Sequence, residues 1–295
     1  MHHDFSSGMR NGKLVGTSHG AGVPSVSRTR DRGYSIKPLP KRRRLVKDIG
    51  WMSRTRHSMK GLVEADITEA RSLIRRLRRE TGRQLSFTAF LVATAARAVA
   101  KNPEVNACHT RGGRIAYFEK VNVLAMVEVV NTDGMRIPIG HLIPAAEELQ
   151  PTRIEEIFEE YRRSYNEASE TRMLDAVTSL PPLLRRALFG QMPKNPRFVQ
   201  KTMGTIVVSA VGMFLPHHAA WAVGQSNHTI SIWVGSTVER ICRIRGELVP
   251  RTFGCISIDI DHDIIDGAPA ARFTASLVEM IENASVLRAG ETVRP

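Results

Sequence analysis

Cysteine is scarce in this chain: Cys108, Cys242 and Cys255 are the only three in 295 residues, widely spaced and odd in number. That pattern argues against a disulfide framework or a zinc site, whose ligands come in close pairs, and a reduced, cytoplasmic protein is expected. Long apolar runs are missing too. Residues 87–100 are interrupted by Arg97 and residues 202–215 by glycines, and both fall short of the ~20 residues of a spanning helix, so no membrane span is expected. The opening Met-His-His-Asp-Phe has no basic-then-apolar leader, so export is not expected either.

Acidic residues are scarce at one end only. Residues 1–60 hold 14 Lys/Arg against 3 Asp/Glu, while residues 61–295 hold 28 against 26, so nearly all of the net charge of +13 sits in the N-terminal fifth. Residues 1–36 are rich in Gly, Ser and Arg without apolar periodicity, and they read as a disordered basic tail ahead of one domain over 37–295. Charge alone makes that tail the one route to nucleic acid. No recognition helix, zinc finger or aromatic RNA-binding pattern accompanies it.

At 42% hydrophobic content the remainder can bury a sizeable core. Residues 45–59 suggest a short amphipathic helix packed on the body. A strand at 61–68 leads through Asp66 or Thr68 into an arginine-rich helix stopped by Thr81-Gly82. Ser86 caps a second, more apolar helix that ends at Lys101-Asn102-Pro103. Strands at 114–118 and 121–130 follow, and Asn131-Thr-Asp-Gly134 turns the second into a hairpin with 135–139, where Pro138 demands an edge. Pro151-Thr152 opens a long helix, residues 173–190 continue helically across an interruption at Pro181-Pro182, and strands are expected at 204–209, 228–234 and 249–260. This order fits the α/β class: a two-layer arrangement of a mixed β-sheet with helices packed on one face.

The stretch Cys255-Ile-Ser-Ile-Asp-Ile-Asp-His-Asp-Ile-Ile-Asp-Gly267 carries the candidate chemistry. Isoleucine alternates with small or polar residues as in a strand with one apolar face. His262 falls next in that register, and Asp266-Gly267 breaks it as a turn. Taken by itself, His262 is either a core histidine satisfied by a neighbour or a general base with Asp266 as partner. Cys255, on the same strand, reads as a buried, inert thiol. The adjacent His217-His218 lack the further ligands of a metal site.

Asp261-His262-Asp263-Ile264-Ile265-Asp266-Gly267-Ala268, with Ala271-Arg272-Phe273 after it, resembles the Asp-His-Arg-x-x-Asp-Gly-Ala…Ala-Arg-Phe signature of the dihydrolipoyl acyltransferase catalytic domain of 2-oxo acid dehydrogenase complexes, a family with the chloramphenicol acetyltransferase-like fold. Ser86-Phe-Thr-Ala-Phe with Asn102-Pro103 and Val105-Asn106-Ala107, then Met135-Arg-Ile-Pro-Ile139, then Gly204-Thr-Ile-Val-Val-Ser-Ala-Val-Gly212 resemble three further motifs, in the family's order.

The resemblance implies a homotrimer or larger trimer-based assembly with its active-site channel between subunits, and coenzyme A as a substrate. His262 would be the base, Asp266 would be tied to an N-terminal arginine such as Arg43 or Arg44, and Ser209 would supply the oxyanion hydroxyl, although the family's hydroxyl can come later, where Phe214-Leu-Pro-His-His218 offers none. Asp263 departs from the pattern by replacing an arginine, and a carboxylate beside the imidazole would raise its pKa. No covalently bound lipoyl group is expected on this chain, so a lipoyl-domain protein in trans or a small acceptor is implied. The alternative is a family-shaped scaffold or regulator of a dehydrogenase complex that transfers nothing.

Overall fold

The structure is a computed structural model that describes residues 34, 36–54, 56–131, 134–165, 167–210 and 218–288. Apart from Tyr34 and Ile36, the tail expected over 1–36 lies outside the described residues, and the compact body begins at Lys41.

Helix α1 (Lys41–Ser53) leads into β1 (Ser58–Asp66), α2 (Thr68–Thr81) and α3 (Phe87–Lys101). A two-stranded sheet, β2 (Ala107–His109) with β3 (Ile115–Tyr117), precedes the hairpin of β4 (Val123–Val130) and β5 (Arg136–Ile143). Then come α4 (Pro151–Ser164), α5 (Glu167–Ser179), α6 (Pro182–Gln191) and a short α7 (Pro196–Phe198). Strands β6 (Ile206–Ala210), β7 (Ile230–Ile244) and β8 (Glu247–Asp261) are followed by α8 (Gly267–Glu282) and α9 (Ser285–Arg288). The six-stranded sheet runs β1-β8-β7-β6-β4-β5, with β6 parallel to both neighbours and the other pairs antiparallel.

One face of this sheet carries the core. Ile256, Ile258 and Ile260 of β8 join Ile230 and Ile232 of β7, Ile206 and Val208 of β6, and Val123 and Ala125 of β4. Over them lies α3, packed against β4, β6, α4 and α8. Its alanines Ala89, Ala93, Ala95, Ala96 and Ala98 are all buried, and such small side chains let neighbours approach on every side, so an apolar-all-round helix becomes the centre of the layer. The Ser86 Oγ accepts the Ala89 N–H at 3.1 Å, and Gly82 closes α2 at φ 67. β5, with Pro138, is one of the two edge strands, as its proline requires. Residues 218–227 cross the sheet's second face, where the Trp221 indole donates to the Val63 carbonyl at 3.2 Å. A Cβ on Gly224 would meet the Trp233 ring at 2.5 Å, so a larger residue there would have to displace that ring.

Two expectations are corrected. β7 does not stop at Val234: after a bulge between Val234 and Thr237 it continues to Ile244, where Arg245 (φ 51) and Gly246 (φ 91) turn it into β8. Two consecutive left-handed residues make a tight hairpin turn, so the two strands pair along a projecting arm that needs no apolar face of its own. The interruption expected at Pro181-Pro182 is present: α5 ends at Ser179 and α6 begins at Pro182, because the two prolines lack the N–H groups that would carry one helix across. In α1, which ends at Ser53 rather than near Met59, the buried residue is Asp48, while Val46, Ile49 and Trp51 are exposed. Asp48 is paired with Arg185 and Arg186 of α6, and this charge contact sets the face that α1 turns inward.

Candidate active site

The antiparallel register of β1 and β8 pairs Ser58 with Asp261, so the residues entering β1 lie against those leaving β8. Two consecutive residues thereby hold three consecutive ones. The Arg56 Nε donates to Asp261 Oδ2 at 2.9 Å, the His57 carbonyl accepts the His262 N–H at 2.7 Å, and His57 Nδ1 lies 2.9 Å from Asp263 Oδ1. Asp261 closes the turn from within, its Oδ1 accepting the Asp263 N–H at 3.2 Å and its carbonyl the Ile265 N–H at 3.0 Å. Arg56 also donates to the Ser226 carbonyl, which ties the turn to the 218–227 segment.

His262 is carried at the tip of this turn, one residue beyond β8, and is exposed in the single chain rather than sunk in the core. Asp263, which replaces the family's arginine, faces His57. That hydrogen bond holds its carboxyl below the usual carboxylate range. Asp266 occupies the N-cap of α8, its main-chain carbonyl accepting the Ala270 N–H at 3.1 Å, with no side-chain capping bond. Among the described residues no bond joins it to Arg43 or Arg44. The arginine that reaches this turn is Arg56, and it bonds to Asp261 instead.

Ser209 is buried on β6, in a cross-strand row with Trp233 and Ser257. His262 lies five residues beyond Ser257 along the β8 direction, roughly 16 Å at strand rise. One chain therefore does not bring Ser209 and His262 together. Residues 214–217, the later part of that segment, lie outside the described residues.

Beside the turn opens a cavity of about 380 Å³ whose walls include Arg56, Cys108, His109, Met203, His228 and Asp261. His228 is held by Ser226 Oγ on Nδ1 and the Met203 carbonyl on Nε2. Burial, helped by the nearby Arg56 charge, pushes its imidazole down to about 4, so it is neutral at pH 7. Burial pushes the Cys108 thiol up to about 11 and raises that of Cys255 as well, so neither is a ready nucleophile. His109, Asp261 and Asp263 bring donor atoms within 4.8 Å of one another. With Asp261 bonded to Arg56 and Asp263 to His57, we read that set as an ion-pair network rather than a metal centre.

The sequence pointed to His262, Asp266 and Ser209 but not to Arg56, His57 or the cavity. The contacts of Arg56 and His57 depend on strand register across some two hundred residues, which periodicity does not report. The alternation of Asp259, Asp261 and Asp263 along the strand end was the visible signal for cationic partners.

The profile of the 2-oxoacid dehydrogenases acyltransferase (catalytic domain) family matches residues 35–175 and 195–288. A dihydrolipoyllysine-residue acetyltransferase component of the pyruvate dehydrogenase complex from Mycoplasma capricolum subsp. capricolum is 24% identical over 234 residues, which cover 77% of this chain and 45% of that protein; the chain spans about half the length of the curated relative it matches. The fold is similar to that of the Azotobacter vinelandii dihydrolipoamide acetyltransferase (TM-score 0.65, 16% identity, 90% of this chain and 99% of the other). It also resembles that of a probable dihydrolipoamide acetyltransferase from Listeria monocytogenes (TM-score 0.62, 19% identity, 85% and 95%). Matched over most of its length and in the order of the sequence motifs, the chain belongs to the 2-oxoacid dehydrogenase acyltransferase family through its catalytic domain.

Proposed function

We propose that the chain is a coenzyme A-dependent acyltransferase that moves an acyl group between coenzyme A and a dihydrolipoyl or small-molecule acceptor, with His262 as general base. The observation that carries this reading is the exposed tip on which His262 sits, fixed from both sides by Arg56 and His57, in a chain that belongs to an acyltransferase family. An imidazole so placed can take the thiol proton while the sulfur attacks a thioester carbonyl. A thiol near pKa ~8.5 and an imidazole near ~6.5 differ by about two units, so the transfer costs about 2.7 kcal/mol before the site tunes either group. Because Asp263 engages His57, the carboxylate that replaces the family's arginine has a partner of its own beside the base.

Separation within one chain makes Ser209 an oxyanion donor only toward the His262 of a neighbouring copy, in keeping with a homotrimer whose channel lies between subunits. Asp266 takes a structural part at the start of α8. A lipoyl-domain protein would present the acceptor in trans, and three free cysteines agree with the reducing cytoplasm. Among the described residues no helix is long and apolar enough to cross a membrane.

The test is direct: purified protein, an acyl-CoA panel and free dihydrolipoamide, with thioester formation as the readout. Transfer from at least one acyl-CoA supports the reading. A second reading, a non-catalytic scaffold of a dehydrogenase complex, draws on Asp263, whose charge is opposite to the family's. Intact assembly without coenzyme A binding in calorimetry selects it.

A further inference from the structure

Helix α6 (Pro182–Gln191) lies within residues 176–194, which the family model does not match, so a contact common to the family does not account for its surface. Its two arginines turn inward: Arg185 pairs with the buried carboxylate of Asp48 on α1, and Arg186 lies 3.5 Å from the same group. At helical spacing this sends Leu183, Leu184, Ala187 and Leu188 to the outer side. All four are exposed, the leucines at 81%, 56% and 41%. A single exposed leucine is ordinary, but here a whole helix face is apolar and carries no charge. On α1, against which α6 packs, Val46 and Ile49 are exposed as well.

Cations edge this face. α1 presents Arg43, Arg44 and Lys47, all exposed and without an ion pair among the described residues, and its one acid, Asp48, is already taken up by Arg185. At the other end of α6, Gln191 lines a cavity shared with Arg111 and Lys194, in which Asp263 is held by His57. An apolar helix face edged by basic side chains is complementary to a surface that is apolar inside and anionic at its rim, the chemistry of a bilayer containing anionic lipids. Nucleic acid would meet the cations and leave the leucines uncovered. A second copy set face to face would bring like charges together.

We propose that the α1–α6 side of the body docks on an anionic lipid bilayer, Leu183, Leu184 and Leu188 entering the acyl boundary while Arg43, Arg44 and Lys47 meet the headgroups. Docking of this kind is peripheral and needs no spanning helix. It is independent of acyl transfer and stands or falls apart from it.

The test is co-sedimentation of the full chain with vesicles of phosphatidylcholine alone and of phosphatidylcholine and phosphatidylglycerol in equal parts, repeated on Leu183→Gln/Leu184→Gln, with oligomeric state recorded by light scattering. The glutamines keep the net charge, and sites this exposed accept them without loss of the fold. Partitioning about tenfold or more stronger onto the mixed vesicles than onto phosphatidylcholine, and about tenfold or more weaker in the double variant, supports the proposal. Equal binding by the variant would mean that charge alone, including that of residues 1–36, holds the protein at the surface, and it overturns the proposal. So do absence of binding to the mixed vesicles, equal binding to both kinds of vesicle, and a smaller assembly in the variant, which would make the face a contact between copies.

Discussion

Asp48→Asn isolates the contact that docks α6. The wild-type carboxylate side chain is 2% exposed and is held by Arg185, itself 7% exposed, with Arg186 alongside. The amide keeps the shape and removes the charge, leaving two guanidinium groups close together at a site built for a counter-ion. Removing one partner of a buried pair costs about 3–5 kcal/mol. Arg185 retains hydrogen bonds to the Leu180 carbonyl at 3.1 Å and to that of Thr178 at 3.4 Å, so the low end, about 3 kcal/mol, is expected. The contact joins α1 to α6 and does not touch α3, so the loss is local. At about 1.4 kcal/mol per decade, amides of α6 lose roughly a hundredfold in hydrogen-exchange protection while those of α3 keep theirs. The double variant Asp48→Leu/Arg185→Met, which replaces the pair with apolar groups, recovers most of it. Unchanged α6 protection in Asp48→Asn would refute the docking role given to this pair.

The lowered His228 pKa makes stability fall with acid: between its ordinary 6.5 and about 4 the unfolded chain binds a proton that the folded chain does not, so up to about 3 kcal/mol is lost as pH drops through that window and none above it. Urea unfolding of wild type and His228→Asn should diverge only below pH 6.5; parallel curves would contradict the assignment. Arg56→Met leaves the Asp261 carboxylate, 6% exposed, without its ion pair and costs about 3 kcal/mol, with Asp261→Asn in the same chain restoring much of it in a double-mutant cycle. Gly204 has φ +68, and a Cβ there would stand 2.1 Å from the Asn122 carbonyl oxygen, so Gly204→Ala lowers stability by at least about 2 kcal/mol in thermal unfolding.

Local signals and long-range ones were unequally legible. The Ser86 cap, the Gly82 stop, the β4–β5 hairpin and the edge position of Pro138 rest on contacts a few residues apart, where propensity and turn chemistry act directly. The signature around His262 was legible for the same reason, since its residues are contiguous. The ends of β7 and β8 escaped because their outer arm pairs backbone to backbone with little apolar alternation. Burial of Asp48 escaped because a lone acid among basic and apolar residues reads as solvated until its cationic partners on a distant helix are known. The exposed setting of His262, expected at an apolar register position, follows from the chain leaving β8 at Asp261: once the strand ends, its alternation no longer sets where a side chain points.

His262 is the residue proposed to move the proton in acyl transfer. The decisive measurement compares kcat for transfer from an acyl-CoA to dihydrolipoamide in wild type and His262→Ala, with coenzyme A binding and oligomeric state recorded for both. A loss of about 10²-fold or more in kcat with binding and assembly retained is the predicted result, the scale a positioned general base contributes. Full activity in His262→Ala would contradict it.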